Sequence, residues 1–349
     1  MSDHRPPITI VGAGGIGGTI AAALTLAGDR VTVVDASVPH IEAIRTRGLH
    51  FDGIQGDHYV RFEQALLPAE WEAPAGVVLL AVKSQDTREA LRVIAPRLHA
   101  GSVVVSLQNG WNPAVIADAV GADRTMAAMI HMVGNHEGPG HVRRYSEGTF
   151  HLGELSQTLT PRAVALAERL SAAVPTTATG NPWGFIWSKQ ICGTTKAATA
   201  LVDERAADIV QRYWVTDILL ALILEGIAAA DAEGIRLEAY ERLDPDVMRV
   251  SAAADLPAAR AMLPKGSAKG NSGVWHDLKV RRRKTEVEYL SGELVRIGRR
   301  HGLPMAVNGR VVEMIAEIEA GIRLMAWDNL RELRSPAARV LDTALGSVA

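Results

Sequence analysis

The stretch ITIVGAGGIGGTIAAALTLAGDRVTVVD, residues 8–35, decides the fold. ITIV at 8–11 is a short β-branched run that reads as a strand, and RVTVVD at 30–35 reads as the next. Between them a cluster of glycines opens an alanine-rich segment, Gly17 to Ala27, which reads as a helix. Gly12, Gly14 and Gly17 satisfy G-x-G-x-x-G in the context that gives the spacing meaning, after a strand and at the start of a helix. Gly12 makes the tight turn, Gly14 admits a pyrophosphate close to the backbone, and Gly17 lets helix and strand approach. Gly15 and Ile16 complete the loop, where the first N–H groups of the helix face the phosphates. Asp35 ends the second strand, 18 residues beyond Gly17, where a carboxylate receives the hydroxyls of an adenosine ribose. A carboxylate repels a 2′-phosphate, and no arginine stands beside this one, so NAD(H) is expected over NADP(H).

Working outward, GVVLLAV at 76–82 and SVVVSL at 102–107 are continuous apolar runs, the mark of parallel strands buried on both faces. Helical periodicity lies between them, at 86–98 and 112–120. The first half is therefore expected to be α/β, a doubly wound, Rossmann-type parallel sheet. Lys83 and Asn109 follow the third and fourth of these strands, at the sheet edge where ligands bind, and are expected to contact cofactor; Asn109 is also placed near substrate. TMAAMIHMV, HVRRY and TFHLGEL, between 125 and 155, read as further strands that extend the sheet with antiparallel members. After Asn181-Pro182 the chain turns helical, with asparagine suited to the N-cap and proline to the first helical position. This gives a dinucleotide-binding domain at 1–180 and an all-helical substrate and dimerisation domain at 181–349.

Composition narrows the alternatives. A net charge of −2 argues against a nucleic-acid or anionic-membrane partner. The basic run Arg281 to Lys284, followed by Glu286 and Glu288, reads as a solvated helix face. The lone Cys192 excludes an internal disulfide and fits the cytoplasm; no nucleophile pairing surrounds it. The uncharged stretch 8–28 is too rich in glycine for a membrane span, and the apolar run 218–230 is broken by Glu225. That run is the ground for expecting a homodimer. His131, His136, His141 and His151 fit no zinc spacing, and no metal is expected.

The apolar helical segment 185–201 carries only two charges, Lys189 and Lys196, seven residues apart on one face. A lysine in such surroundings is costly unless used or paired. As an ammonium it can hydrogen-bond a substrate carbonyl and stabilise the alkoxide that forms as hydride arrives; otherwise it snorkels to solvent.

Taken together, AVKS at 81–84, QNG at 108–110, GPGHV at 138–142, IWSK at 186–189, TAL at 199–201, HDL at 276–278 and KTEVEYLSGELVRIGRRHGLPMAVN at 284–308 resemble the ketopantoate reductases (2-dehydropantoate 2-reductases). The resemblance implies a Rossmann domain joined to a helical one, with the active site in the cleft between them. It further implies Lys189 as catalytic lysine, Glu286 as active-site glutamate, and Lys83 and Asn109 beside the nicotinamide. The family places asparagines four and eight residues after its lysine; here Gly193 and Ala197 stand there. Its serine four residues before the later aspartate is Gly273, next to Ser272. Gly193, Lys196, Ala197, Ser272 and Trp275 are therefore the expected substrate contacts, around a 2-oxo or 2-hydroxy acid bulkier than ketopantoate. A bulkier ketone is an alternative. A non-catalytic NAD-sensing regulator is the reading from another class.

Overall fold

Ile8–Val11 (β1) and Val31–Val34 (β2) are buried along their whole length, as strands covered on both faces must be. A computed structural model, which describes residues 6–263 and 270–346, pairs them in parallel within an eight-stranded sheet. The remaining strands are Leu49–Gly53 (β3), Gly56–Val60 (β4), Gln64–Leu66 (β5), Ala75–Leu80 (β6), Leu98–Ser106 (β7), Thr125–His131 (β8), Gly134–Gly138 (β9), His141–Arg144 (β10), Thr149–Glu154 (β11) and Thr176–Ala178 (β12). The large sheet runs β12-β11-β8-β7-β6-β1-β2-β5, and only the β11–β8 pairing is antiparallel.

Helices Gly15–Leu26 (α1), Val38–Arg47 (α2), Thr87–Ile94 (α3), Asn112–Val120 (α4) and Pro161–Leu170 (α5) complete this part. Strand alternation feeds two cores. Ile8, Ile10 and Val33 pack with Ile20 and Leu24 of α1 and Leu166 of α5. Val11, Val34 and Val78 pack on the other side with Leu91 of α3 and Ile116 of α4. Strand order reverses around β1, since β2 lies on one side of it and β6 on the other. The carboxyl end of β1 thus opens at a topological switch point, where doubly wound sheets bind ligands.

The region 125–155 departs from expectation. β8 joins the large sheet in parallel, β11 joins antiparallel, and β9 and β10 leave for a second sheet, β4-β3-β10-β9. Apolar burial explains the departure: Val142 of β10 and Phe51 of β3 turn one face of this sheet into a core with Ala22 of α1. The hairpin β3–β4 was not expected.

The chain divides into two compact units, Met1–Pro182 and Trp183–Ala349. The second is helical: Pro182–Thr199 (α6), Ala206–Ile209 (α7), Tyr213–Ala232 (α8), Pro245–Ala254 (α9), Leu256–Ala261 (α10), Gly273–His276 (α11), Ser291–Arg300 (α12), Ala306–Glu319 (α13), Trp327–Glu332 (α14) and Arg334–Gly346 (α15). The apolar run of α8 is core, packed against α12, α13 and α15, so its apolar residues are spent within the chain. Glu225 within it is buried but satisfied. It accepts from the N–H groups of Val307 (2.9 Å) and Asn308 (2.8 Å), capping the N-terminus of α13. Among the described residues no helix is long and apolar enough to cross a membrane.

The basic run is not one helix face. A π-helical turn, Asp277–Arg281, ends there, and Arg282 takes left-handed backbone angles at φ 49°. Asp277 collects Arg281 (2.8 Å) and Arg283 (3.0 Å) on one carboxylate, which competes with helical continuation.

Candidate active site

In the first unit the glycine loop has the shape a dinucleotide requires. Gly12 sits at φ 95°, and a Cβ there would lie 2.8 Å from the Val82 nitrogen; one at Gly17 would lie 1.9 Å from the Gly12 oxygen. Only glycine fits either position. A Cβ at Gly14 would meet nothing within 4 Å, so the loop is open on the side a pyrophosphate approaches. No side chain caps the start of α1 and no acid occupies its first turn, leaving its N–H dipoles available to an anion. Gly15 also admits β9, since a Cβ there would lie 2.2 Å from the Gly134 oxygen.

Asp35 stands immediately after β2. Its Oδ2 accepts from the N–H of Ala13 at 2.8 Å and its Oδ1 from the N–H of Ser37 at 2.8 Å. Each carboxylate oxygen retains acceptor capacity for a ribose hydroxyl. These residues fit a bound nicotinamide dinucleotide. Gly12, Asp35, Lys83 and Asn109 follow β1, β2, β6 and β7, which are neighbours in the sheet. A buried amide network knits the last two loops together. Gln108 donates to the Val82 oxygen (2.9 Å), and Asn112 donates to the Asn109 oxygen (2.8 Å) and to Ser84 Oγ (3.0 Å). Gln108 and Asn112 carry no role in the sequence analysis, although Gln108 opens QNG and Asn112 lies two residues beyond it.

In the second unit α6 is buried except for Trp183 in its first turn and one stripe of Phe185, Lys189, Gly193 and Lys196. Burial holds the Lys189 ammonium down to about 7, from an ordinary 10.5. The charge of Lys196 adds to this, while Glu241 and Glu286 push the other way. Lys189, Lys196 and Glu286 thus belong to one electrostatic cluster. Glu241 is an unforeseen member. It lies in a turn closed by the Tyr240–Leu243 bridge, takes φ 53°, and is tied to α6 where Ser188 Oγ donates to the Glu238 oxygen at 2.6 Å. Cys192 is buried and its thiol is pushed up to about 12 by desolvation, so it is no nucleophile.

The other expected substrate contacts separate. A Cβ at Gly193 would meet nothing within 4 Å, so the missing side chain leaves open space. Ala197 is 1% exposed and faces the core, not the stripe. Ser272 is committed to structure: it caps α11, accepting from the Trp275 N–H at 3.3 Å, and its hydroxyl donates to the Lys196 oxygen at 3.2 Å. This brings the start of α11, and with it Trp275, to the end of α6.

His50, Asp52 and His141 place three donor atoms within 4.8 Å on the second sheet. The two rings stack with centroids 4.2 Å apart and planes 21° from parallel, so their in-plane lone pairs do not converge. Both Asp52 oxygens accept from Arg143, at 2.9 and 2.5 Å, which helps hold the carboxyl down at about 2. The cluster is a cross-strand ionic row.

A Rossmann-type unit whose glycine loop fits a dinucleotide, followed by a helical unit carrying a desolvated lysine near carboxylates, is the two-domain arrangement of an oxidoreductase class. Residues 8–157 match the family model described as Ketopantoate reductase PanE/ApbA, and 183–319 match Ketopantoate reductase PanE/ApbA C terminal. The chain belongs to the ketopantoate reductase family and is an oxidoreductase acting on CH–OH groups. The 2-dehydropantoate 2-reductase of Halobacterium salinarum is 27% identical over 311 residues, 88% of this chain and 97% of the relative. A PanE/ApbA family ketopantoate reductase from Ralstonia eutropha superposes with a TM-score of 0.76 at 26% identity, covering 90% of this chain and 99% of its own. D-mandelate dehydrogenase, in a ternary structure with NADH and anilino(oxo)acetate, shares the fold with a TM-score of 0.79 at 21% identity, over 90% of this chain and 99% of that one.

Proposed function

We propose that the chain reduces a 2-oxo acid to the 2-hydroxy acid, or runs the reverse reaction, with NAD(H) and with Lys189 as the acid–base group. A bound nicotinamide supplies the hydride. Lys189 donates a proton to the substrate oxygen as that hydride arrives, and takes it back in the oxidative direction. The observation that carries this reading is a lysine with an ammonium near neutrality, on the accessible stripe of a buried helix. Glu286 and Glu241 keep the ammonium from being lost altogether. Lys83 and Asn109, fixed by the Gln108–Asn112 network, orient the cofactor and substrate. Asp35 favours NAD(H), because a 2′-phosphate would meet its carboxylate. Open space at Gly193, with Lys196 one turn further, favours a substrate larger than ketopantoate that carries an anionic or aromatic distal group. The lone cysteine fits a reducing, cytoplasmic setting.

The test is a panel of 2-oxo acids, ketopantoate among them, assayed with NADH and NADPH by nicotinamide absorbance. A bulky 2-oxo acid with NADH should give the highest kcat/KM. A clear win for ketopantoate overturns the pocket argument, and no turnover despite tight NADH binding overturns the enzymatic one.

A further inference from the structure

His40 of α2 is 1% exposed, and its ring is the meeting point of three segments. Nδ1 accepts from the N–H of Gly140 at 2.8 Å, in the turn between β9 and β10. A ring nitrogen that accepts carries no hydrogen, so the hydrogen of a neutral ring is on Nε2. Nε2 lies 2.9 Å from the Ala13 oxygen and donates to it. Two backbone partners therefore fix both the charge and the tautomer. The His136 ring packs edge-on at 4.6 Å, with its Nε2 3.1 Å from His40 Nδ1. Burial holds His136 below its ordinary value, while Asp35 and Glu137 oppose this.

Ala13 is the middle of Gly12-Ala13-Gly14, and it is gripped at both ends: Asp35 takes its N–H and His40 its carbonyl. The Ala13 carbonyl and the Gly14 N–H share one trans peptide, so they point in opposite directions. With the carbonyl drawn inward to His40, the Gly14 N–H points away from His40, and the Gly14 Cα is itself open, since a Cβ there would meet nothing within 4 Å.

We propose that His40 is a positioning residue for the dinucleotide, a neutral imidazole that locks the Ala13–Gly14 peptide so that the Gly14 N–H points at the pyrophosphate. The proposal rests on the reading above that a dinucleotide occupies this loop. It also gives the GPGHV turn a task, since Gly140 holds the imidazole in the required tautomer.

The test measures NADH binding directly, by nicotinamide fluorescence, alongside steady-state kinetics. His40→Leu keeps the volume and removes both hydrogen bonds; NADH should bind about tenfold or more weakly, and KM for NADH should rise with kcat little changed. His40→Gln offers a donor and an acceptor and should recover binding to within about threefold. Wild-type affinity in a folded His40→Leu protein overturns the proposal, as does a Gln variant no better than Leu. Should the Leu variant not fold, a long-range ¹H–¹⁵N spectrum of the histidine-labelled wild-type protein decides: the His40 ring must be the Nε2–H tautomer, and Nδ1–H or an imidazolium overturns the proposal. A wild-type protein that binds no NADH overturns the proposed function instead.

Discussion

Replacing Lys189 by methionine separates its chemical role from its cost to the fold. The folded protein releases the Lys189 proton near pH 7, whereas an unfolded chain holds it to the ordinary 10.5. Between those values the unfolded state binds more protons, so stability rises with pH across the window. Below about 7 both states are protonated and the folded state bears the full cost of a buried ammonium; above 10.5 neither is protonated and the cost is gone. The difference corresponds to at most roughly 5 kcal/mol, reduced by whatever water reaches the accessible stripe. Lys189→Met keeps the length of the side chain and deletes the charge. In urea denaturation the variant should be roughly 2–5 kcal/mol more stable than the parent at about pH 6, and the gap should close by about pH 10. Its turnover should fall by about a hundredfold or more while NADH binding is retained. The parent should lose reductive activity as pH rises through about 7, because the donor must be the ammonium, and lose oxidative activity as pH falls through the same value. A stability gap that is equal at both pH values, or a kcat near the parental one, refutes the reasoning.

Two further outcomes follow from the cofactor loop and the helical stripe. The parent should prefer NADH over NADPH by at least about tenfold in kcat/KM. Asp35→Arg should narrow or reverse that ratio while weakening both cofactors, since Asp35 also holds the N–H groups of Ala13 and Ser37; an unchanged ratio counts against Asp35 as the discriminator. Gly193→Asn should fold normally, because its Cβ enters open space, with a melting temperature within a few degrees of the parent. Its kcat/KM should fall for bulky 2-oxo acids relative to ketopantoate, and equal effects on both would place Gly193 outside the substrate pocket.

Legibility followed the range of the interactions that set each feature. The strand–glycine loop–helix–strand run at 8–35 is decided within a few residues, by glycine sterics and by strands buried on both faces, so motif and fold could be read together. Lys189 could be singled out because a charge in an apolar helix needs a reason. The hairpin β3–β4 and the pairing of β10 with β3 were not: HFDGIQGDHY is polar, and His141 pairs with His50 some ninety positions away, a register that no local pattern encodes. Glu241 sits among other loop charges, and only the turn closed by Tyr240 and Leu243 and tied to Ser188 brings it to Lys189. His40 gave no signal for the same reason, since its partners Ala13, His136 and Gly140 come from three segments.

The misplacement of Ala197 is a matter of helical angle. At about 100° per residue, Lys196 lies roughly 20° from the Lys189 direction and Gly193 roughly 40°, but Ala197 lies roughly 80° away. A spacing of eight residues looks like two turns and is not. On a helix whose accessible stripe reaches about 40° to either side of Lys189, the excess rotation carries Ala197 into the core, where it is 1% exposed. On the proposed reading, a substrate contact in place of one at Ala197 comes from another element, and α11 is held at the adjoining end of α6 by the Ser272–Lys196 hydrogen bond. On that reading specificity depends on how α11 meets α6, so Gly193, one turn from the lysine, can be tested by single substitution and Ala197, two turns away, cannot.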